Sequence, residues 1–383
     1  MRILALATHG EAGPSTRFRV LQWAPALEEA GFSLAVHPLF SAEMTVAFYQ
    51  PGRMAAKLAA AAFGAARRCA VLARLPSLAD VLLIHRELFP LGRRPFWRTL
   101  ERFPGPVIYD YDDAMFVRQR GDRGLLGWLE DPDTPQAVMR RSDLVLAGNA
   151  FLAAYARRHA RRVVVMPTCI DTARFVPRPR PAVGGAGGLP VVGWIGTYTA
   201  SKYLLGLAPV LEAAARRVPF RLLVVGAHPV PPIPGVAIEQ RDWSLAREVG
   251  DFQRCDIGLY PLWNDPWAEG KCAFKAIQFM ACGAPVVASD VGMNRELIED
   301  GVNGCLASTP EAWVEQLTRL LADAALRQRM GLAGRRTIEE RYSVQANGAT
   351  FLRAIREAVH GRAVEAPATA AVPTQAMQPA ESR

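Results

Sequence analysis

Short apolar runs, each followed by a stretch long enough for a helix, constrain this chain most. Residues 2–8 (RILALAT), 81–84 (VLLI), 107–109 (VIY), 144–147 (LVLA), 163–166 (VVVM) and 191–195 (VVGWI) read as buried strands. Residues 33–37, 220–225, 256–260 and 285–288 continue the series. Between 2–8 and 33–37, residues 21–30 predict an amphipathic helix stopped by Gly31. The order strand, helix, strand specifies parallel α/β units. In such sheets ligands gather beyond the carboxyl ends of the strands. The residues expected there are His9, His85-Arg86-Glu87, Asp110-Tyr111-Asp112-Asp113, Gly148-Asn149 and Pro167 to Asp171. Residues 9–19 (HGEAGPSTRFR) read as a Gly/Pro/Ser loop. They lack G-x-G-x-x-G, which argues against a dehydrogenase.

With 383 residues, 50% hydrophobic and 21% charged, the chain is long and apolar enough for more than one globular domain. Residues 176–190 (VPRPRPAVGGAGGLP) break both helix and strand and read as a linker between two α/β halves. Residues 343–360 predict a last helix, and 361–383 a disordered tail of Ala, Pro, Thr and Gln. The net charge of +9 suits anionic partners: nucleotide diphosphates or an anionic lipid surface. No nucleic-acid-binding signature accompanies it, so no nucleic-acid partner is expected. The six cysteines form no C-x-x-C pair, as expected of reduced thiols in a cytoplasmic protein. Neither a signal peptide nor a transmembrane run is expected.

Residues 265–306 carry the most chemistry. A helix is expected over about 272–282, with Phe274, Ile277 and Ala281 on its buried face. Lys271, Lys275 and Gln278 fall at i, i+4 and i+7 on a polar face that begins at the helix N-terminus, where free N–H groups favour an anion. Lysine is rare here. Only Lys57, Lys202, Lys271 and Lys275 occur, and the remaining 41 of 45 basic residues are arginine. Two of four lysines within one turn suit a diphosphate. A merely solvated helix face is the simpler alternative.

The segment Gln278-Phe279-Met280-Ala281-Cys282-Gly283-Ala284-Pro285-Val286-Val287 resembles the nucleotide-sugar site of family 4 glycosyltransferases. So does Lys271 to Ala281 as K-x-x-F-K-x-I-Q-F-M-A. The resemblance implies the GT-B fold, two doubly wound Rossmann-like domains facing a cleft. Residues 1–175 would form the acceptor side and 190–342 the nucleotide-sugar side, with 343–360 crossing back to the first domain. It implies sugar transfer from a UDP- or GDP-type donor to a hydroxyl acceptor, with retention and without a metal or other cofactor. The family carries a Glu, seven residues, then a second Glu. Gln278 stands at the second position, which binds ribose. Gly270 stands at the first, with Glu269 beside it.

By the same resemblance Gly196, Thr197 and Lys202 would face the leaving diphosphate. The helix N–H groups near Phe274 and Lys275 would add to it. Gly292, Met293 and Asn294 would form a donor-contacting loop, followed by Glu296. Lys202, Lys271 and Lys275 would stabilise the departing charge. Asp112 and Asp113 are expected on the first-domain wall, orienting an acceptor hydroxyl or acting as base. Asp110-Tyr111-Asp112 is also a D-x-D, which could instead hold a divalent metal. A nucleotide-sugar epimerase and a non-catalytic, degenerate subunit are the alternative functions. Residues 41–75 predict helix rich in Ala and cations, with Arg53, Lys57, Arg67, Arg68 and Arg74. They form either an ordinary surface or a face for anionic lipid, which would put the protein peripherally on the inner membrane face beside a lipid-linked acceptor.

Overall fold

The computed structural model describes residues 1–41, 44–45, 54–87, 97–117, 133–178, 188–227 and 229–361. Most of the expected linker and all of the expected tail after Gly361 lie outside the described residues.

Two parallel six-stranded sheets organise the chain. The first contains β1 (Arg2–His9), β2 (Ser33–Phe40), β3 (Val81–His85), β4 (Val107–Tyr111), β5 (Leu144–Ala147) and β6 (Val163–Val165), in the order β2-β1-β3-β4-β5-β6. The second contains β7 (Val191–Ile195), β8 (Arg221–Val225), β9 (Ala237–Arg241), β10 (Ile257–Tyr260), β11 (Val286–Ser289) and β12 (Cys305–Ala307), in the order β12-β11-β10-β7-β8-β9. β3, β4 and β5 are buried along their whole length. Each sheet reverses its order next to its first strand, between β1 and β3 and between β7 and β10. A doubly wound sheet opens its ligand crevice at such a switch point. His9 and Arg86 therefore follow one switch, and Gly196 and the turn at Trp263 follow the other.

Local structure departs from sequence expectation in a few places. Residues Pro14–Arg19 form a helix, not a loop, with Pro14 in its first turn, where the missing N–H is no loss. β2 runs on through Pro38, which an edge strand tolerates. β9 (AIEQR) is an edge strand whose polar residues hid it. The helix expected from 272 begins only at Phe274, because Ala273 sits in the left-handed region at φ 51°. The end at Gly283, with φ 72°, is where sequence puts it.

The last helix, Val344–His360, returns to the first sheet. Phe351, Ala354, Ile355 and Ala358 join a core with Ile3, Ala5, Trp23, Leu27, Leu83, Ile108 and Leu146. Phe351 stacks on Trp23 at 4.4 Å. Arg335 secures the crossover, donating to the carbonyls of Thr172, Phe175 and Ala281. All six cysteines are free and five are buried, Cys69 being exposed.

Candidate active site

The first-domain wall is built from the ends of β1, β3 and β4. Asp110 is buried and receives Arg19 through both carboxylate oxygens, with the Nε contact at 3.0 Å. His85 Nδ1 sits 2.8 Å from Asp110 Oδ1. Burial opposes the Asp110 charge, but Arg19 and then His85 hold its carboxyl below the usual range. Asp112 accepts from Ser15 Oγ at 3.0 Å and from Arg86 Nε at 2.5 Å. Asp113 accepts from Arg86 Nη2 and, across the cleft, from Lys271 Nζ at 2.8 Å. Burial opposes the Asp112 charge as well, and Arg86 foremost depresses its pKa. Arg86 reaches both carboxylates from a left-handed backbone, φ 62°. Its N–H donates to the Asp110 carbonyl at 2.8 Å, and its own carbonyl accepts from Tyr109 Oη at 2.9 Å. His9 lies 3.2 Å from Thr45 Oγ1 and is pushed down to about 4, by burial first and then by Arg86 and His85.

The second-domain wall carries the lysines. Lys271 lies in the loop between the helices Pro266–Glu269 and Phe274–Ala281, not on the helix face with Lys275. Lys275 Nζ donates to Gln278 Oε1 at 2.7 Å and stands over the rings of Phe252 and Phe274. Burial lowers Lys275 to about 8, with Glu248 opposing and Arg17 assisting. Gln278 has no solvent exposure. Its amide oxygen serves Lys275, and its Nε2 is the atom without a hydrogen-bond partner.

A Cβ on Gly270 would stand 2.4 Å from Ala114 Cβ and 2.8 Å from its backbone N, so the first domain fills the position of the family's first carboxylate. Glu269 keeps a half-buried side chain 3.9 Å from Arg295. Gly292, at φ 52°, packs on Ala268 and Glu269, with 3.0 Å from a Cβ there to the Ala268 carbonyl. Met293 and Asn294 are buried, and Asn294 Nδ2 donates to the Ser289 carbonyl at 2.8 Å, so both shape this loop from within. Gly196 follows β7, and Thr197 is exposed with its hydroxyl 3.0 Å from Thr199. Lys202 is exposed, its Nζ 4.9 Å from the ring centre of Trp263.

The walls interlock at the base of the cleft. Asn149 Nδ2 donates to the carbonyls of Glu269 and Lys271, and Cys272 Sγ to that of Asp112. Phe18 packs on Phe274 at 4.4 Å. Arg17 Nη2 meets buried Glu248 at 2.7 Å.

A family profile described as "Glycosyl transferases group 1" matches residues 189–323. The D-inositol 3-phosphate glycosyltransferase of Xylanimonas cellulosilytica is 27% identical over 318 residues, 74% of this chain and 73% of the relative. Its counterpart in Nocardia farcinica is 25% identical, over 68% of this chain and 62% of the relative. The chain is a glycosyltransferase of GT-B fold. Its architecture matches sucrose-phosphate synthase of Thermosynechococcus elongatus with a TM-score of 0.66 at 17% identity, covering 94% of this chain and all of that one. It also matches HepE of Anabaena in complex with UDP-glucose, with a TM-score of 0.57 at 16% identity, covering 93% and 100%.

In this glycosyltransferase, sequence reasoning missed Ser15, Arg17 and Arg19. All three ride on the Pro14–Arg19 helix. The available signal was Pro14 followed by S-T-R-F-R, a proline-led first turn with cations toward the helix end. Glu248, which faces Arg17 from the second domain, carries no local signal, because their partnership spans 231 residues.

Proposed function

We propose that the enzyme transfers a sugar from a UDP- or GDP-type donor to a hydroxyl acceptor, with retention and without a metal. The observation that supports this most is the pair of lysines around one helix N-terminus: Lys271, which reaches Asp113 across the cleft, and Lys275, bonded to Gln278 beside Phe274. The lysines and the N–H groups of Phe274 and Lys275 would take the diphosphate and stabilise it as it leaves. Lys271 would then exchange Asp113 for phosphate. Asp112, held ionised by Arg86, is a weak base and suits orienting an acceptor hydroxyl. The D-x-D is poorly placed for a metal, because Asp110 already bonds Arg19 and His85, and Asp112 bonds Arg86 and Ser15. HepE, whose structures contain UDP and UDP-glucose, shares the fold and makes a uridine donor the first to test. A thermal-shift and donor-hydrolysis screen of UDP- and GDP-sugars, with and without EDTA, tests the reading. A shift with at least one donor and turnover insensitive to EDTA are expected. Loss of turnover that manganese restores would replace it with a metal mechanism, and a rearranged free nucleotide sugar with an epimerase.

We further propose that the acceptor is lipid-linked and reached at an anionic inner membrane surface. No helix among the described residues is long and apolar enough to cross a membrane. The helix Met54–Ala73 instead exposes Leu58 (51%) and Phe63 (61%), with Arg67 on its open side and Arg74 just beyond it. Arg53 lies outside the described residues. Arg68, expected on this surface, is buried and donates to the carbonyls of Ala7 and His37, so it anchors the helix to the sheet. Each exposed cation near an anionic leaflet contributes about 1 kcal/mol. Vesicles containing phosphatidylglycerol should pellet the enzyme at low salt and release it at high salt. Equal pelleting by Phe63→Ser/Arg67→Gln/Arg74→Gln would take the contact off this helix, and no pelleting of wild type would leave a soluble acceptor.

A further inference from the structure

We infer that a second anion site, built for a multiply phosphorylated ligand, lies at the end of the first sheet opposite the cleft. The starts of β5 and β6 open there on a groove of about 950 Å³. Arg140, Arg141, Arg157, Arg161, Arg162 and Arg353 line it. They arrive from four places: the end of the helix Thr134–Arg141, the end of the helix Ala150–Ala156, the turn before β6, and the returning helix Val344–His360. A chain that favours arginine would scatter these residues over its surface, whereas here separate elements bring them to one concavity.

Arg141 is committed to the fold. It donates to the carbonyls of Leu100 at 3.1 Å and Phe103 at 2.8 Å and lies 3.7 Å from Asp143. Asp143 in turn accepts from the Val107 N–H at 2.8 Å. Among the described residues, no carboxylate stands within ion-pair distance of Arg140, Arg157, Arg161, Arg162 or Arg353. Five guanidinium groups around one groove repel one another, and a bound anion relieves that repulsion. The planar fork of arginine matches phosphate oxygens in pairs. The groove is far larger than a single phosphate; Asp143 is its one lining carboxylate, beside Arg141, and Ser142 and Thr350 add hydroxyls, so the arginines dominate recognition. An extended ligand with two or more phosphates fits this layout.

Because the groove shares no residue with the lysine wall, it can be tested with the donor site filled. The full chain, saturated with UDP, is titrated with sodium tripolyphosphate by calorimetry. In parallel it is sedimented with vesicles containing phosphatidic acid. Wild type should bind tripolyphosphate with an affinity that falls as sodium chloride rises. Arg157→Gln/Arg161→Gln/Arg353→Gln should weaken that binding at least tenfold while leaving UDP affinity and the thermal midpoint unchanged. The matching triple lysine variant should retain part of it. Tripolyphosphate binding without groove-dependent pelleting assigns a soluble ligand, and pelleting weakened by the glutamine variant assigns a phosphate headgroup. The site is refuted if wild type binds neither probe, or if both probes bind the glutamine variant as tightly as wild type.

Discussion

Replacing Lys271 and Lys275 together by alanine should weaken UDP or GDP binding by about 2–4 kcal/mol, roughly 30- to 1,000-fold in Kd. Each lysine offers a charge-assisted hydrogen bond, and Lys275 works in partly desolvated surroundings where such a bond is strong. The Lys271–Asp113 pair at 2.8 Å must open for Lys271 to contribute, which keeps the expected loss below the sum of two unopposed bonds. Lys275 also gives the affinity a pH signature. Its pKa in the free enzyme is lowered to about 8, so its charge is present below that pH and lost above it. A diphosphate binds the charged form better, so Kd should rise as pH passes upward through about 8. The diphosphate itself is fully ionised there and adds no opposing change. Lys275→Arg should flatten the profile, because guanidinium stays charged throughout. Calorimetry across that range is the measurement. An affinity unchanged in the double variant would move the diphosphate elsewhere, with Lys202 beside Trp263 the next place to look.

The parallel sheets were legible because buried strands announce themselves by local composition. The lysines were legible because lysine is scarce in this chain. What stayed hidden depends on contacts between residues far apart in sequence. The apolar period of residues 272–282 is genuine, but it gives no warning that Ala273 adopts a left-handed backbone and takes Lys271 off the helix. Gln278 sits where the family places a ribose contact, yet nothing local announces its complete burial or the bond its amide oxygen accepts from Lys275. Gly270 resembled a lost carboxylate, and only the packed structure shows Ala114 of the other domain occupying the space. Arg68 resembled its surface neighbours until the helix was docked, when its guanidinium met the carbonyls of β1 and β2. Local pattern fixes which element forms, while the partner across a cleft or sheet decides which face of it is free.

Asp110→Ala should destabilise the enzyme by about 3–5 kcal/mol, the usual cost of removing one partner of a buried ion pair. The Asp110 and Arg19 side chains are each only 2% exposed, so the variant strands a guanidinium with no water to take over. His85 loses its 2.8 Å partner as well. The remaining contacts of Arg19, to the Met166 carbonyl and the Thr168 hydroxyl, neutralise no charge. Exchanging both partners for apolar residues, Arg19→Met with Asp110→Leu, should cost much less, because no buried charge is left behind. The sign with pH follows from the carboxyl. Its folded-state pKa is depressed by Arg19 despite burial, so its stabilisation is complete above the ordinary carboxylate pKa of about 4 and is lost as pH falls below it. Wild type should therefore lose stability in acid more steeply than the double variant. Thermal or urea unfolding of the three proteins between neutral and acid pH measures both effects. Asp110→Ala unfolding at the wild-type midpoint would mean that the Arg19 pair is dispensable. Asp110 would then be available with Asp112 for a metal, and the EDTA result would have to be read again in that light.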